Sequence, residues 1–141
     1  MAFNILIVDD SSPMRAVIKK TIKASGFKTG EIHDASDGQA ALDILKDKWV
    51  DLVLTDYNMP NMDGLQFLSK IKKDEALRDI PVVFITTEGS IPRVKEFMDK
   101  GAVGYIQKPF SPEDIKQKLN KYLGEENGQE FSDSSNENLD F

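Results

Sequence analysis

DLVLTDYNMPNMDG, from Asp51 to Gly64, changes character at its midpoint. Leu52, Val53 and Leu54 form a nearly unbroken apolar run whose length suits a strand buried on both faces. The run stops at Asp56. Asn58, Pro60 and Asn61 are turn formers, and Asp63 with Gly64 offers a helix start. A buried strand that ends in an acid beside a loop is where an open α/β sheet places its chemistry. What matters next is which residues arrive beside Asp56.

Upstream, Ile5 to Val8 is a second apolar run, and it too ends in acids, Asp9 and Asp10. Ser11 or Ser12 can cap a helix and Pro13 suits its first turn. Met14, Val17, Ile18 and Ile22 then recur at helical spacing until Gly26. A weak strand is predicted around Glu31 to Ala35, followed by a helix capped by Asp37 with Ala41, Leu42 and Leu45 inward. Downstream, Asp63 begins a third helix with Leu65, Phe67, Leu68 and Ile71 inward, and Lys72 to Asp79 reads as a polar surface connection. Val82 to Ile85 predict a fourth buried strand ending in Thr86 and Thr87. Ser90 caps a helix with Pro92 in its first turn and Val94, Phe97 and Met98 on one side, closed by Gly101. Val103 to Ile106 predict a short fifth strand ending at Lys108 and Pro109. Ser111, Pro112, Glu113 and Asp114 start a last helix, which Ile115, Leu119, Tyr122 and Leu123 carry to Gly124.

Five apolar strands alternating with five helices imply an α/β fold, a doubly wound parallel sheet covered on both faces. Right-handed crossovers leave few arrangements. In the flavodoxin-like order 2-1-3-4-5, strands one and three are neighbours at the switch point, so Asp9 and Asp10 come beside Asp56.

Composition narrows the class. A chain of 141 residues fits one domain and buries about two-thirds of its unfolded surface without a staple. The absence of Cys excludes disulfides and thiolate metal sites and fits a reducing cytoplasm. No stretch approaches the roughly 18 apolar residues of a membrane span. The net charge is −6, but residues 125–141 carry six acids and no Lys or Arg; 24 acids less these six leave 18, against 18 bases. A single folded domain at 1–124 and a flexible acidic tail at 125–141 are expected. In the tail, Phe131, Leu139 and Phe141 are the apolar exceptions that could dock on the domain or on a partner.

At the strand ends Asp9, Asp10 and Asp56 meet Thr86, Thr87 and Lys108. Any one acid reads as a helix cap or a solvated loop residue, but three together repel and require a cation or a proton. Oxygen donors without Cys favour Mg²⁺, which keeps waters that a phosphate can replace. A metal among carboxylates beside a Lys suits phosphoryl transfer, in which an Asp can be the nucleophile.

DD at Asp9 and Asp10, DYNMPNMDG from Asp56, ITTEG from Ile85 and YIQKPF from Tyr105 together resemble the receiver domain of bacterial response regulators, over residues 4–124. Within that family DDSSPMR and DYNMPNMDG are most similar to the stand-alone chemotaxis regulators. The resemblance implies that Asp56 is the phosphoacceptor, served by a histidine kinase or small donors such as acetyl phosphate. It implies Mg²⁺ ligation by Asp10, Asp56 and the backbone carbonyl of Asn58, with Asp9 acting through water. Lys108 pairs with phosphoryl oxygens and precedes a cis bond to Pro109. Thr86 is the switch hydroxyl, Tyr105 turns into the space it vacates, Thr87 gates access, and Asn58 and Glu88 tune dephosphorylation. Two departures stand out: Tyr57, not Trp, follows the acceptor, and the stretch from Gly26 to Ala35 is about two residues longer than is common in the family. Trp49 lies roughly 20 Å from Asp56 along strand three and should be a poor reporter. His33 is expected to have no metal or catalytic role.

No DNA-binding helix pair or nucleotide loop follows Gly124, so neither nucleic acid nor membrane insertion is expected. The implied output is a changed surface on helix four, strand five and helix five. Its candidates are Ile91, Val94, Lys95, Ala102, Tyr105, Lys118 and Lys121, and an acidic amphipathic segment would suit it. The expected protein is a cytoplasmic, monomeric chemotaxis-like switch rather than an enzyme, with a kinase, a downstream target and a phosphatase as partners. A phosphorelay carrier needs the same pocket. An Asp-dependent phosphatase would want an acid at Asn58, and a flavin phosphate would be repelled by the three acids.

Overall fold

The computed structural model describes residues 2–123. Gly124, the acidic segment 125–141 and its Phe131, Leu139 and Phe141 lie outside the described residues, as does the boundary expected at 124.

The chain runs β1 (Phe3–Val8), α1 (Ser12–Ala24), β2 (Thr29–Ala35), α2 (Gly38–Asp47), β3 (Leu52–Thr55), α3 (Gly64–Lys73), β4 (Val82–Thr86), α4 (Ile91–Asp99), β5 (Gly104–Gln107) and α5 (Pro112–Leu123). The strands form one sheet in the order β2-β1-β3-β4-β5, and every pairing is parallel. This is the α/β architecture expected from the alternation of apolar runs and capped helices.

The unbroken apolar strands serve two cores at once, because successive residues point to opposite faces. Leu6, Val8, Val53, Val82 and Phe84 pack with α2, α3 and α4 through Ala41, Leu45, Phe67, Leu68, Ile71 and Phe97. Ile5, Ile7, Leu52, Leu54, Val83 and Ile85 pack on the other face with α1 and α5, through Ile18, Ile22, Ile115 and Leu119. Burying each such side chain fully is worth about 1.5–3 kcal/mol.

The helices start where the capping residues predict. Ser11 and Asp37 accept from Met14 N and Ala40 N, at 3.2 and 2.8 Å. Asp63 and Gln66 cap α3 reciprocally at 2.8 and 2.9 Å, and Ser111 with Asp114 does the same for α5 at 2.9 and 3.1 Å. Among the described residues no helix is long and apolar enough to cross a membrane.

Several expected faces differ. Val17 is 49% exposed and Met98 42%, so each lies at the rim of its helix's apolar stripe rather than inside. Leu77, expected in a surface connection, is buried, because a turn closed by Leu77 N donating to Asp74 O at 3.0 Å folds it back. Strand five begins at Gly104, one residue late, and leaves Val103 exposed.

The long connection into β2 ends in a bulge. Phe3 pairs with Thr29 but Ile5 pairs with Ile32, so Gly30 and Glu31 together face Asn4. Asn4 Oδ1 accepts from the Glu31 N–H at 2.8 Å and fills the space a side chain at Gly30 would need.

Candidate functional site

The site residues stand one step beyond the ends of the strand ladders. Asp9 N donates to Ala35 O at 3.1 Å, Asp56 N to Val8 O at 2.9 Å, and Lys108 N to Thr86 O at 2.9 Å. Each backbone bond continues a parallel pairing, so the sheet itself sets where these side chains emerge. The register Val8↔Thr55 then puts Asp9 beside Asp56.

Asp9 is buried, at 1% exposure. Its Oδ1 accepts from Ser11 N at 2.9 Å, and its Oδ2 accepts from Lys108 Nζ at 2.9 Å. Lys108 reaches Asp56 Oδ2 as well, at 3.4 Å. Asp56 Oδ1 is held by the Tyr57 N–H at 2.7 Å. Asp10 is exposed, and no hydrogen bond or ion pair engages its carboxylate among the described residues. One oxygen from each of Asp9, Asp10 and Asp56 lies within 4.8 Å of the others.

Three carboxylates against one ammonium leave a formal excess of two negative charges. Like charges this close repel, and solvent around the exposed Asp10 screens part of that repulsion. The donor set of Asp9, Asp10 and Asp56 is all oxygen, and Asp10 also lines a cavity of about 390 Å³ with Tyr57, Asn58, Met59, Pro60 and Asp63. These residues fit a hard divalent cation that retains water, as Mg²⁺ does.

The loop that shapes this cavity closes on itself. Gly64 N donates to Tyr57 O at 2.8 Å and Met62 N to Pro60 O at 2.7 Å. Asn61 takes a positive φ of 71°, which Asn tolerates better than most residues. The Lys108–Pro109 bond is cis, as expected.

Thr86 is fully buried at the end of β4, and its Oγ1 accepts from Glu88 N at 3.2 Å. Thr87 is exposed. Glu88 Oε2 accepts from Ser90 Oγ at 3.1 Å. Tyr105 pairs with Phe84 across β4–β5 and is half-buried against the α2–α3–α4 core.

On the expected output face Ile91 is 83% exposed, Lys95 and Lys121 are exposed, and Val94 and Lys118 are half-buried. Burial pushes the Lys118 ammonium below its ordinary pKa, helped by Lys121 and opposed by Asp114. Ala102 is a correction: it is buried, because Ala102 N donates to Phe97 O at 3.0 Å and the turn at Gly101, φ 113°, folds it inward. Trp49 is 76% exposed at the far end of β3 from Asp56. His33 Nε2 lies 3.2 Å from Glu31 Oε1 on the edge strand, outside the acid cluster.

The sequence reading missed Arg15. Its Nη1 donates to Asp9 O at 2.7 Å and its Nε to Asp34 Oδ2 at 2.8 Å, tying the acid loop to β2. Its place in the first turn after the acids was a signal, but its partner Asp34 lies in the weak strand predicted around Glu31 to Ala35, 19 residues away.

A model of the response regulator receiver domain matches residues 5–120. Chemotaxis protein CheY-3 of Vibrio cholerae serotype O1 is 43% identical over 117 residues, 83% of this chain and 88% of its own length. A chemotaxis protein CheY homolog of Campylobacter jejuni is 38% identical over 126 residues, 89% of this chain and 95% of its own. The solved structure of Vibrio cholerae CheY4 superposes with a TM-score of 0.78 at 31% identity, covering 87% of this chain and 100% of that one. With the family match running from β1 nearly to the end of α5, and chemotaxis proteins among its relatives, the chain belongs to the response regulator receiver domain family.

Proposed function

We propose that this protein is a chemotaxis-like switch phosphorylated on Asp56 in a Mg²⁺-dependent reaction. The observation that carries the reading is the single ammonium of Lys108 shared between buried Asp9 and Asp56 at the sheet edge. An Asp56 oxygen attacks the phosphorus of a histidine kinase's phosphohistidine, or of acetyl phosphate. The P–N or P–O bond to the donor breaks, and imidazole, which takes up a proton, or acetate leaves. Hydrolysis later returns the Asp56 carboxylate and inorganic phosphate, so the chain assists its own phosphorylation and dephosphorylation.

Asp10, Asp56 and the Asn58 carbonyl would hold a Mg²⁺ ion, with Asp9 acting through water, and the ion would supply positive charge that lowers the repulsion an incoming phosphoryl group meets. Lys108 exchanges its carboxylate partners for a phosphoryl oxygen. Thr86 donates its hydroxyl to the same group, Tyr105 follows inward, and Asn58 and Glu88 tune the attacking water. The signal leaves through Ile91, Val94, Lys95, Tyr105, Lys118 and Lys121, where a target protein binds, in the cytoplasm.

Intact mass after incubation with acetyl phosphate and Mg²⁺ tests this. One phosphoryl group is expected on the wild type, none with chelator, and none on Asp56→Asn. A gain that the substitution leaves unchanged overturns the assignment.

A further inference from the structure

The ring that follows the acceptor is held by α4. The backbone N–H of Tyr57 donates to Asp56 Oδ1 at 2.7 Å, so the acceptor carboxylate and the Tyr57 ring are fixed through one peptide unit. From the first turn of α4, Arg93 sets its guanidinium carbon 4.5 Å from the centroid of that ring. Arg93 Nη1 donates to Glu96 Oε1 at 2.7 Å, which orients the planar fork. One turn along the same face, the fully buried Phe97 meets Tyr57 at 5.6 Å. Phe97 also stacks on Phe84 of β4 at 4.0 Å, with the rings 4° from parallel.

Arg93 and Phe97 are i and i+4, so they present one face to the acceptor loop. The neighbours of Arg93 are different. Ile91 and Pro92 are exposed, and the backbone N–H of Arg93 donates to the capping hydroxyl of Ser90 at 3.4 Å. Phe97 is a core residue that would seat α4 whatever happened at Asp56. Arg93 is half-buried and touches the acceptor loop through the Tyr57 ring. A guanidinium over an aromatic face is an electrostatic contact sensitive to ring position.

We infer that Arg93 is a positioning residue of the switch: by stacking on Tyr57 it couples the seat of α4 to the state of Asp56, along a path separate from Thr86 and Tyr105. The inference rests on Asp56 being the phosphoacceptor. A phosphoryl group on Asp56 disturbs the carboxylate that Tyr57 N holds, the ring moves with its peptide, and the stack with Arg93 transmits or resists that motion. Coupling is reciprocal, so a ligand on α4 changes the occupancy of Asp56 through the same contact.

The test loads the full chain with beryllium fluoride and Mg²⁺, a phosphoryl mimic, and follows amide hydrogen exchange in residues 91–99. Parallel intact-mass measurements use acetyl phosphate. The wild type is expected to change exchange across α4 on loading. Arg93→Ala is expected to take up one phosphoryl group yet show an α4 response at least fivefold smaller, while β5 responds as in the wild type. Tyr57→Leu gives the same loss, Tyr57→Phe and Arg93→Lys recover at least half, and Arg93→Ala/Tyr57→Leu adds nothing to either single change. Unchanged protection in β1 and β3 certifies that each variant is folded. An α4 response in Arg93→Ala within twofold of the wild type overturns the inference, as does additivity in the double variant. A wild type that takes up no phosphoryl group overturns the phosphoacceptor reading as well, whereas normal phosphorylation with an unaltered α4 response overturns this inference alone.

Discussion

Lys108 Nζ stands 2.9 Å from Asp9 Oδ2, with only 10% and 2% of the two side chains exposed. A pair so enclosed contributes little net stability while intact, because both charges left water to form it. Removing one partner strands the other. Lys108→Ala is therefore expected to cost about 3 kcal/mol of unfolding free energy in chelator, measured by urea denaturation. Mg²⁺ should recover part of that loss by supplying charge beside the acids. A cost below about 1 kcal/mol would show that Asp9 is not held as an ion there.

Asp10 has the opposite character, exposed and without a partner among the described residues. In the metal-free protein it only repels Asp9 and Asp56. Asp10→Asn is expected to raise stability in chelator by about 0.5–1 kcal/mol, the scale of an exposed charge interaction. It should also abolish stabilisation by Mg²⁺, which for the wild type reaches about 2.7 kcal/mol at a hundredfold excess over Kd. Thermal melts of both proteins with and without Mg²⁺ decide it, and an equal Mg²⁺ response in the two would remove Asp10 from the metal site.

Gly64 lies where the acceptor loop passes under α3. A Cβ there would sit 2.5 Å from Asp56 O, 2.6 Å from Phe84 Cε2 and 2.9 Å from Tyr57 Cα. Two of these are backbone atoms that cannot swing aside. Gly64→Ala is expected to lose about 1–3 kcal/mol and to slow phosphorylation of Asp56, since the displaced atoms belong to the acceptor and its neighbour. Wild-type stability in this variant would show that α3 can shift freely.

Two groups on α5 titrate in opposite senses at alkaline pH. Burial raises the pKa of Tyr122 from 10.0, so above that pH the folded chain retains a proton the unfolded chain has lost, and stability falls as pH rises. Lys118 is lowered from 10.5, by burial first and Lys121 second, with Asp114 opposing. Below 10.5 the folded chain binds fewer protons there than the unfolded chain, so a cost present near neutral pH is relieved as pH rises. Tyr122→Phe should flatten the decline in urea midpoint above pH 10, and Lys118→Met should raise the midpoint at pH 8. A decline unchanged in Tyr122→Phe would assign it elsewhere.

The sheet order and the meeting of Asp9, Asp10, Asp56, Thr86 and Lys108 were legible because they depend on strand ends, and apolar runs mark strand ends clearly. Helix faces were less legible. Val17 and Met98 satisfy the helical period, yet they fall where the stripe meets solvent, and periodicity carries no information on how far a neighbouring element extends. Ala102 was placed on the surface because the turn at Gly101, which folds it under α4, depends on a backbone angle rather than on side-chain pattern. Arg15 and Arg93 went unread for a common reason. Each is a charged helix residue that reads as solvated until its partner, Asp34 or Tyr57, is brought close by an element elsewhere in the chain.

The bulge opposite Asn4 separates chain length from site geometry. From Ile5↔Ile32 to Val8↔Ala35 the β1–β2 register runs without interruption, and Asp9 is fixed to Ala35 as though no residue had been added. The edge strand thus works as an expansion joint: an extra residue near Gly30 is absorbed at the far end of the sheet, four ladder steps before Asp9 is reached. Lineages could lengthen or shorten this connection without retuning the acid pocket, and a peptide tag placed there would leave that pocket intact.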